Sequence, residues 1–322
     1  MRALAPALAA LWLSGCASLP YEPGRDLGSE ITLQLRPGES QAERGRPQPL
    51  VDGLGHYLFS LPSKVLLLDW RMNNHDVSEV TEAALLLYLR ANGLCDVKLR
   101  INQYAPGGEW QRLARNREMP GGWRWTLGLL SVSFYTILPD RLFAGLLGGD
   151  HYNPYTNTIS IYSDLRAVGL HEGGHAKDFA EVRNRHWKGL YAAIRVLPVV
   201  PLWQEGVATA DALAWEKTWG ERRQEQSAYR SLYPAYGTYV GGEISRWLPT
   251  TWVVYAVQYG AVVVGHVAGQ ARALFVGERP EPPPVGPLDA LAQARDEGPP
   301  DQCAAAEPED RPLRDPALPI PL

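Results

Sequence analysis

Cysteine is scarce in this chain of 322 residues: Cys16, Cys95 and Cys303 are all it has. Three thiols over that length cannot staple a small secreted scaffold. Cys95 therefore reads as a small buried hydrophobe, and Cys303 as a bystander in a polar tail. A basic excess is missing too. Lys and Arg number 31 against 35 Asp and Glu, for a net charge of −4, and no long Lys/Arg block occurs, so nucleic acid is not an expected partner. Walker loops, nucleophile elbows, CxxC pairs and dinucleotide glycine fingerprints are also absent. What is present, 45% apolar, 20% charged and 10% aromatic residues, is the composition of a folded globular protein long enough to bury a substantial core.

The ends differ from the middle. Arg2 precedes a short apolar run, Ala3–Leu13, which reads as a secretory signal and is shorter than a spanning helix needs. It closes in Leu13-Ser14-Gly15-Cys16, which resembles the bacterial lipobox. That resemblance implies a signal peptide over 1–15 and a lipidated Cys16. With Ala17 next, it also implies anchoring in the outer membrane, on the periplasmic side. The Pro-, Gly- and charge-rich stretch 16–48 then reads as a linker, with the folded domain expected over 49–278. The tail 279–322 holds 12 of the 27 prolines and nine acids against four arginines, too polar to pack a core.

Within the domain, Lys64–Trp70 reads as a strand. Asp76 or Ser78 caps a helix through Val80, Ala84, Leu87 and Tyr88 that ends at Asn92-Gly93. Cys95–Gln103 alternates as a second strand, the turn-rich His151–Asn157 leads into a third over Thr158–Tyr162, and Ser163 or Asp164 caps a helix from about Leu165. Trp247–Ala271 runs 25 residues without a charge. It suits either a buried core helix or a membrane-inserted one; Pro249 and Gly260, Gly265 and Gly269 weigh against the second.

The chemistry concentrates in His171-Glu172-Gly173-Gly174-His175, an HExxH motif. Residues i and i+4 share a helix face, so both imidazoles can reach one Zn2+ ion while Glu172 acts as general base on a water in the open position. Glycines inside a helix cost about 1 kcal/mol each against alanine, so this pair signals a close approach by another element. A third ligand is needed. The candidates are Glu205, Asp178, Glu181 and His186, or no further protein ligand; His186 sits in what reads as a basic helix end.

Thirty residues past His175, Trp203-Gln204-Glu205-Gly206-Val207-Ala208 resembles the second helix of gluzincin metallopeptidases, where a zinc-binding glutamate precedes a small residue. Gln204 departs from the family's asparagine, and Thr209 stands where an aspartate often supports a ligand histidine. The resemblance implies that support must come from Asp178 or Asp211. It also implies an oxyanion stabiliser, for which Tyr236 is favoured over Tyr233, Tyr239 and His266. Finally it implies a substrate-pairing edge strand, placed at Asn157, Thr158, Ile159, Ser160 and Ile161.

The expectation is an α+β fold: a zincin-like domain with a small mixed sheet and an HExxH helix, followed by a mainly helical C-terminal part. The expected function is zinc-dependent hydrolysis of a peptide or protein substrate by a lipid-anchored envelope metallopeptidase. The rivals are a non-catalytic, metal-stabilised envelope lipoprotein serving as scaffold or binding module, and a protease with Trp247–Ala271 inserted in the membrane beside its site.

Overall fold

The computed structural model describes residues 21–24, 33, 35–248, 251–278 and 303. The expected signal peptide, Cys16 and all of the tail but Cys303 lie outside the described residues. The fold is α+β and mostly helical, with one mixed four-stranded sheet in the order β1 (Ala42–Arg44), β2 (Lys98–Ile101), β4 (Thr158–Ile161), β3 (His151–Asn153). β1, β2 and β4 run parallel and β3 is antiparallel to β4.

Side chains alternate across a strand, and here both faces are buried. Leu99, Ile101, Ile159 and Ile161 meet the main core, shared with Leu85, Tyr88 and Leu89 of α2 (Glu79–Ala91) and with Leu170 of the HExxH helix. Lys98, Arg100, Thr158 and Ser160 face the other way, beneath α3 (Pro106–Arg115). Charges survive there because they are paired: Arg100 with Glu43 and Glu109, Lys98 with Glu43, while Arg112 donates to the Thr156 and Asn157 carbonyls.

Ser78 caps α2 as its sequence suggests, its Oγ accepting from the Thr81 N–H. Gly93 follows with φ +66°, a left-handed exit suited to glycine. Five other expectations need correction. Lys64–Trp70 is not a strand: α1 spans Leu61–Leu67, begun by Pro62 and stopped by Leu68 at φ +52°. A short unbroken apolar run does not distinguish the two states. The Lys64 ammonium, buried against the His56 carbonyl and the Ser60 hydroxyl, fixes the helical one. Within 16–48, expected as linker, β1 joins the sheet and Tyr21 stacks edge-on against Trp215, so the domain begins before residue 49.

The turn-rich His151–Asn157 contains β3 and makes a hairpin with β4. The expected substrate edge, Asn157 to Ile161, is consequently an interior position, because β2 pairs with β4 on its other side. The last correction concerns Cys95, which forms a disulfide with Cys303 across 208 residues of sequence.

Beyond the sheet the described residues are mainly helical, and the further helices that position the site are α4 (Leu129–Ile137), α5 (Arg166–Glu181), α6 (Arg185–Ala193), α7 (Val200–Trp219), α8 (Arg222–Ser245) and α9 (Thr251–Leu274). α8 and α9 form an antiparallel hairpin whose backbones nearly touch. A Cβ on Gly241 would lie 2.7 Å from the Gln258 Cα, and one on Gly265 2.6 Å from the Tyr233 carbonyl oxygen. Gly265 and Gly269 of the uncharged run, with Gly241 of α8, are thus the packing seam, whereas Gly260 faces open space. The run itself is no core helix: only 17% of the Trp252–Leu274 window is buried.

Candidate metal centre

β4 delivers the chain almost directly into α5. Ser163 and Asp164 do not cap that helix; Leu165 takes the position with no side-chain bond. Both residues are engaged elsewhere. Asp164 accepts from the Ser78 and Thr81 hydroxyls, and Ser163 pairs with Asp150. The start of α5 is thereby tied to α2, and β4 aims the histidines at α7.

His171 and His175 lie one turn apart on α5, their rings edge to face with centroids 4.7 Å apart. α7 opens at Val199 and Pro201 and brings in Glu205, which is fully buried. One carboxylate oxygen, Oε2, lies 3.0 Å from His171 Nε2 and 3.3 Å from His175 Nε2. Among the described residues these three are the one group of His, Cys, Asp or Glu whose ligand atoms fall within 4.8 Å of one another.

The glycines of the motif explain how α5 gets so close to its neighbours. A Cβ on Gly173 would meet the Tyr88 ring at 2.6 Å, and one on Gly174 would meet the Ala208 Cα and carbonyl oxygen at 3.0 Å. Real side-chain carbons sit about 3.5–4.0 Å from such atoms. Gly174 therefore lets the α7 backbone rest directly on α5, one turn from Glu205.

The donor set fits a divalent cation such as zinc: two imidazoles and a carboxylate, all buried, converging through Nε2, Nε2 and one oxygen. Lone pairs brought together in this way need a proton or a cation between them. The charges show the same demand. Burial would raise the Glu205 carboxyl, but the His175 and His171 imidazoles outweigh it and hold Glu205 well below its ordinary value. Burial would lower His171, and the Glu205 carboxylate more than offsets this, leaving it raised.

Support for the histidines differs from what the resemblance implies. Thr209 itself takes the role: its Oγ1 lies 3.3 Å from His171 Nδ1. Asp178 instead accepts from the Tyr191 hydroxyl, and Asp211 accepts from Tyr88 and from Lys177 at 2.5 Å, so neither is joined to a ligand histidine by a hydrogen bond. His175 Nδ1 is buried without a hydrogen-bond partner among the described residues. The rival third ligands fall away: Glu181 and His186 are exposed, and His186 stands at the start of α6, where Asn184 caps a helix N-terminus rather than an end.

Tyr236 lines the cleft with His171 and Glu172. Its hydroxyl donates to the Leu202 carbonyl at 3.2 Å. Tyr239, one turn on, is the tyrosine beside Glu205; that carboxylate, with burial and Glu172, pushes its phenol well above the ordinary value. Arg195 pairs with the other oxygen of Glu205. Sequence reasoning passed over Arg195, although it is the only charge in the apolar stretch Gly189–Trp203.

His171 and Glu172 border a cleft of about 1150 Å³ whose walls come from α1, α8 and α9. A smaller space of about 180 Å³, lined by His175, Arg195 and residues 152–155 around β3, adjoins the same centre. Tyr135 and His151, stacked with centroids 4.2 Å apart, line both. The free edge of the sheet beside the centre is β3, not β4.

No protein-family model, curated protein or solved structure matches the chain.

Proposed function

We propose that the protein is a zinc-dependent peptidase of zincin type, held at the cell envelope by a lipid on Cys16. The observation that carries the proposal is the convergence of His171, His175 and Glu205 beside a cleft that Glu172 also borders. His171, His175 and Glu205 would hold the ion, which when bound supplies a Lewis acid that polarises a carbonyl and acidifies water.

The remaining chemistry falls to the chain's own groups. Glu172, one residue from His171 and in the cleft wall, accepts a proton at its carboxylate and returns it to the leaving amine. Thr209 fixes the orientation of the His171 ring. Arg195 and Tyr239 supply donors beside Glu205 where negative charge develops on a peptide oxygen. The outer edge of β3, which has no further strand beside it in the sheet, offers main-chain groups to an extended peptide. Glu172→Gln should keep the metal, measured by elemental analysis, and lower turnover of a casein or mixed-peptide substrate by a hundredfold or more, in line with loss of a general base (~10²–10⁴). Undiminished turnover removes Glu172 from the reaction.

One observation favours a second reading, an envelope lipoprotein that binds without cleaving. Arg195 already neutralises Glu205, so the triad can be satisfied by shared protons and an ion pair. A purified chain that takes up no zinc at neutral pH would support that reading.

A further inference from the structure

We propose that the outward face of α9, together with the rim of α1 across the cleft, docks on a lipid bilayer and turns the mouth of the cleft toward the membrane. The peptide reaching Glu172 is then one presented at the bilayer surface. This second part rests on the peptidase reading; the docking face stands on the surface alone.

Three observations carry it. First, α9 has the composition of a buried helix and the exposure of a surface one: Trp252, Val263 and Val267 are 74%, 59% and 66% exposed. The glycine seam against α8 uses one side of the helix, and Trp252, Tyr255, Tyr259, Val263 and Val267 are exposed among the described residues. Second, the apolar surface continues onto another element. Leu61, Val65 and Leu68 of α1 and its exit are exposed and line the same cleft as Tyr255, Tyr259 and Val263 of α9. The His266 ring joins the two helices, its Nε2 lying 3.0 Å from the Leu66 carbonyl oxygen. A rim of this kind exceeds the scattered apolar residues of an ordinary soluble surface. His171 and Glu172 line the same cleft.

Third, the order of side chains along α9 suits lipid rather than another protein. Trp252, Tyr255 and Tyr259 occupy its first turns, Val263, Val264 and Val267 its middle, and the first charge is Arg272 near its end. Aromatic rings favour the headgroup level, and an uncharged aliphatic face favours the acyl boundary just below it. A protein interface would carry polar groups around its apolar centre, and this stretch of α9 has no charged side chain to supply them. The apolar run 3–13 and Cys16 give a separate reason for the chain to meet a membrane.

The test uses the Cys16→Ser chain without its apolar run 3–13, so that neither a lipid nor that run can hold it, floated with neutral phosphatidylcholine vesicles in about 0.5 M salt to screen charge. The protein should float with the vesicles. Val263→Glu with Val267→Glu on that background should cut the bound fraction about tenfold or more, because carboxylates resist entry into hydrocarbon. Brominated lipid should also quench tryptophan emission in this shortened chain, and Trp252→Phe should remove part of that quenching, a readout independent of whether the double variant folds. A shortened chain that stays in the aqueous fraction overturns the proposal. So does one that sediments as a stable dimer and leaves the vesicles empty, since the face would then belong to a second copy. Zinc measured on the same samples separates the two readings. Zinc without flotation sinks the docking face alone, and flotation without zinc sinks the peptidase alone.

Discussion

Gly174→Ala is the sharpest probe of how the centre is assembled. The added methyl would lie 3.0 Å from the Ala208 Cα and carbonyl oxygen, and both atoms are backbone, so no side chain can swing aside. Ordinary contact needs about half an ångström more, and α7 must retreat from α5 to give it. Glu205 lies three residues before Ala208 and retreats with it. Metal–ligand distances tolerate about ±0.2 Å, so the substitution should weaken zinc binding tenfold or more. Stability moves less. Strain from overpacking costs about 1–3 kcal/mol, and relief of a helix-interior glycine returns about 1 kcal/mol. Gly169 on the same helix is the control: its added methyl meets only the Leu85 side chain, at an ordinary 3.5 Å. Gly169→Ala should therefore bind zinc as the parent does and melt no lower. Competition with a chromophoric chelator reads both affinities. Gly174→Ala binding zinc within about twofold of the parent would refute the claim that this contact sets the ligand geometry.

Other expectations follow from single contacts. Thr209→Val keeps the shape and removes the hydroxyl beside His171 Nδ1, so zinc affinity should fall about 10–100-fold with the circular dichroism spectrum unchanged; parental affinity would show that the hydroxyl orients nothing. Cys303→Ser opens the disulfide to Cys95, which should lower unfolding stability by about 2–5 kcal/mol in denaturant titration, and an unchanged midpoint would mean that the bond does not form in the native chain.

Local signals were legible in the sequence, and long-range ones were not. The Ser78 cap, the Gly93 exit, the strand at Lys98–Ile101 and the helix carrying His171 and His175 each depend on a few neighbouring residues, and each lies where its pattern puts it. α1 is not legible because Val65-Leu66-Leu67-Leu68 satisfies helix and strand alike, and the partners of the buried Lys64 ammonium, the His56 and Asn73 carbonyls and the Ser60 hydroxyl, lie outside that run. Strand order is equally nonlocal. Nothing within Asn157–Ile161 announces that β2 covers the side left open by β3. Glu205 is within reach because the Gly173-Gly174 pair demands a close neighbour and the resemblance points to a second helix beginning near Pro201. Thr209 was discounted for not being an aspartate, yet a hydroxyl at that position reaches the same ring nitrogen.

We infer that His171, His175 and Glu205 together hold one ion. Equilibrium dialysis of the purified chain against buffered zinc, with the metal counted by mass spectrometry, addresses it directly. About one zinc per chain is expected for the parent and a small fraction of that for His171→Ala and Glu205→Ala, each still folded by circular dichroism. A Glu205→Ala chain that retains its full equivalent of zinc would contradict it.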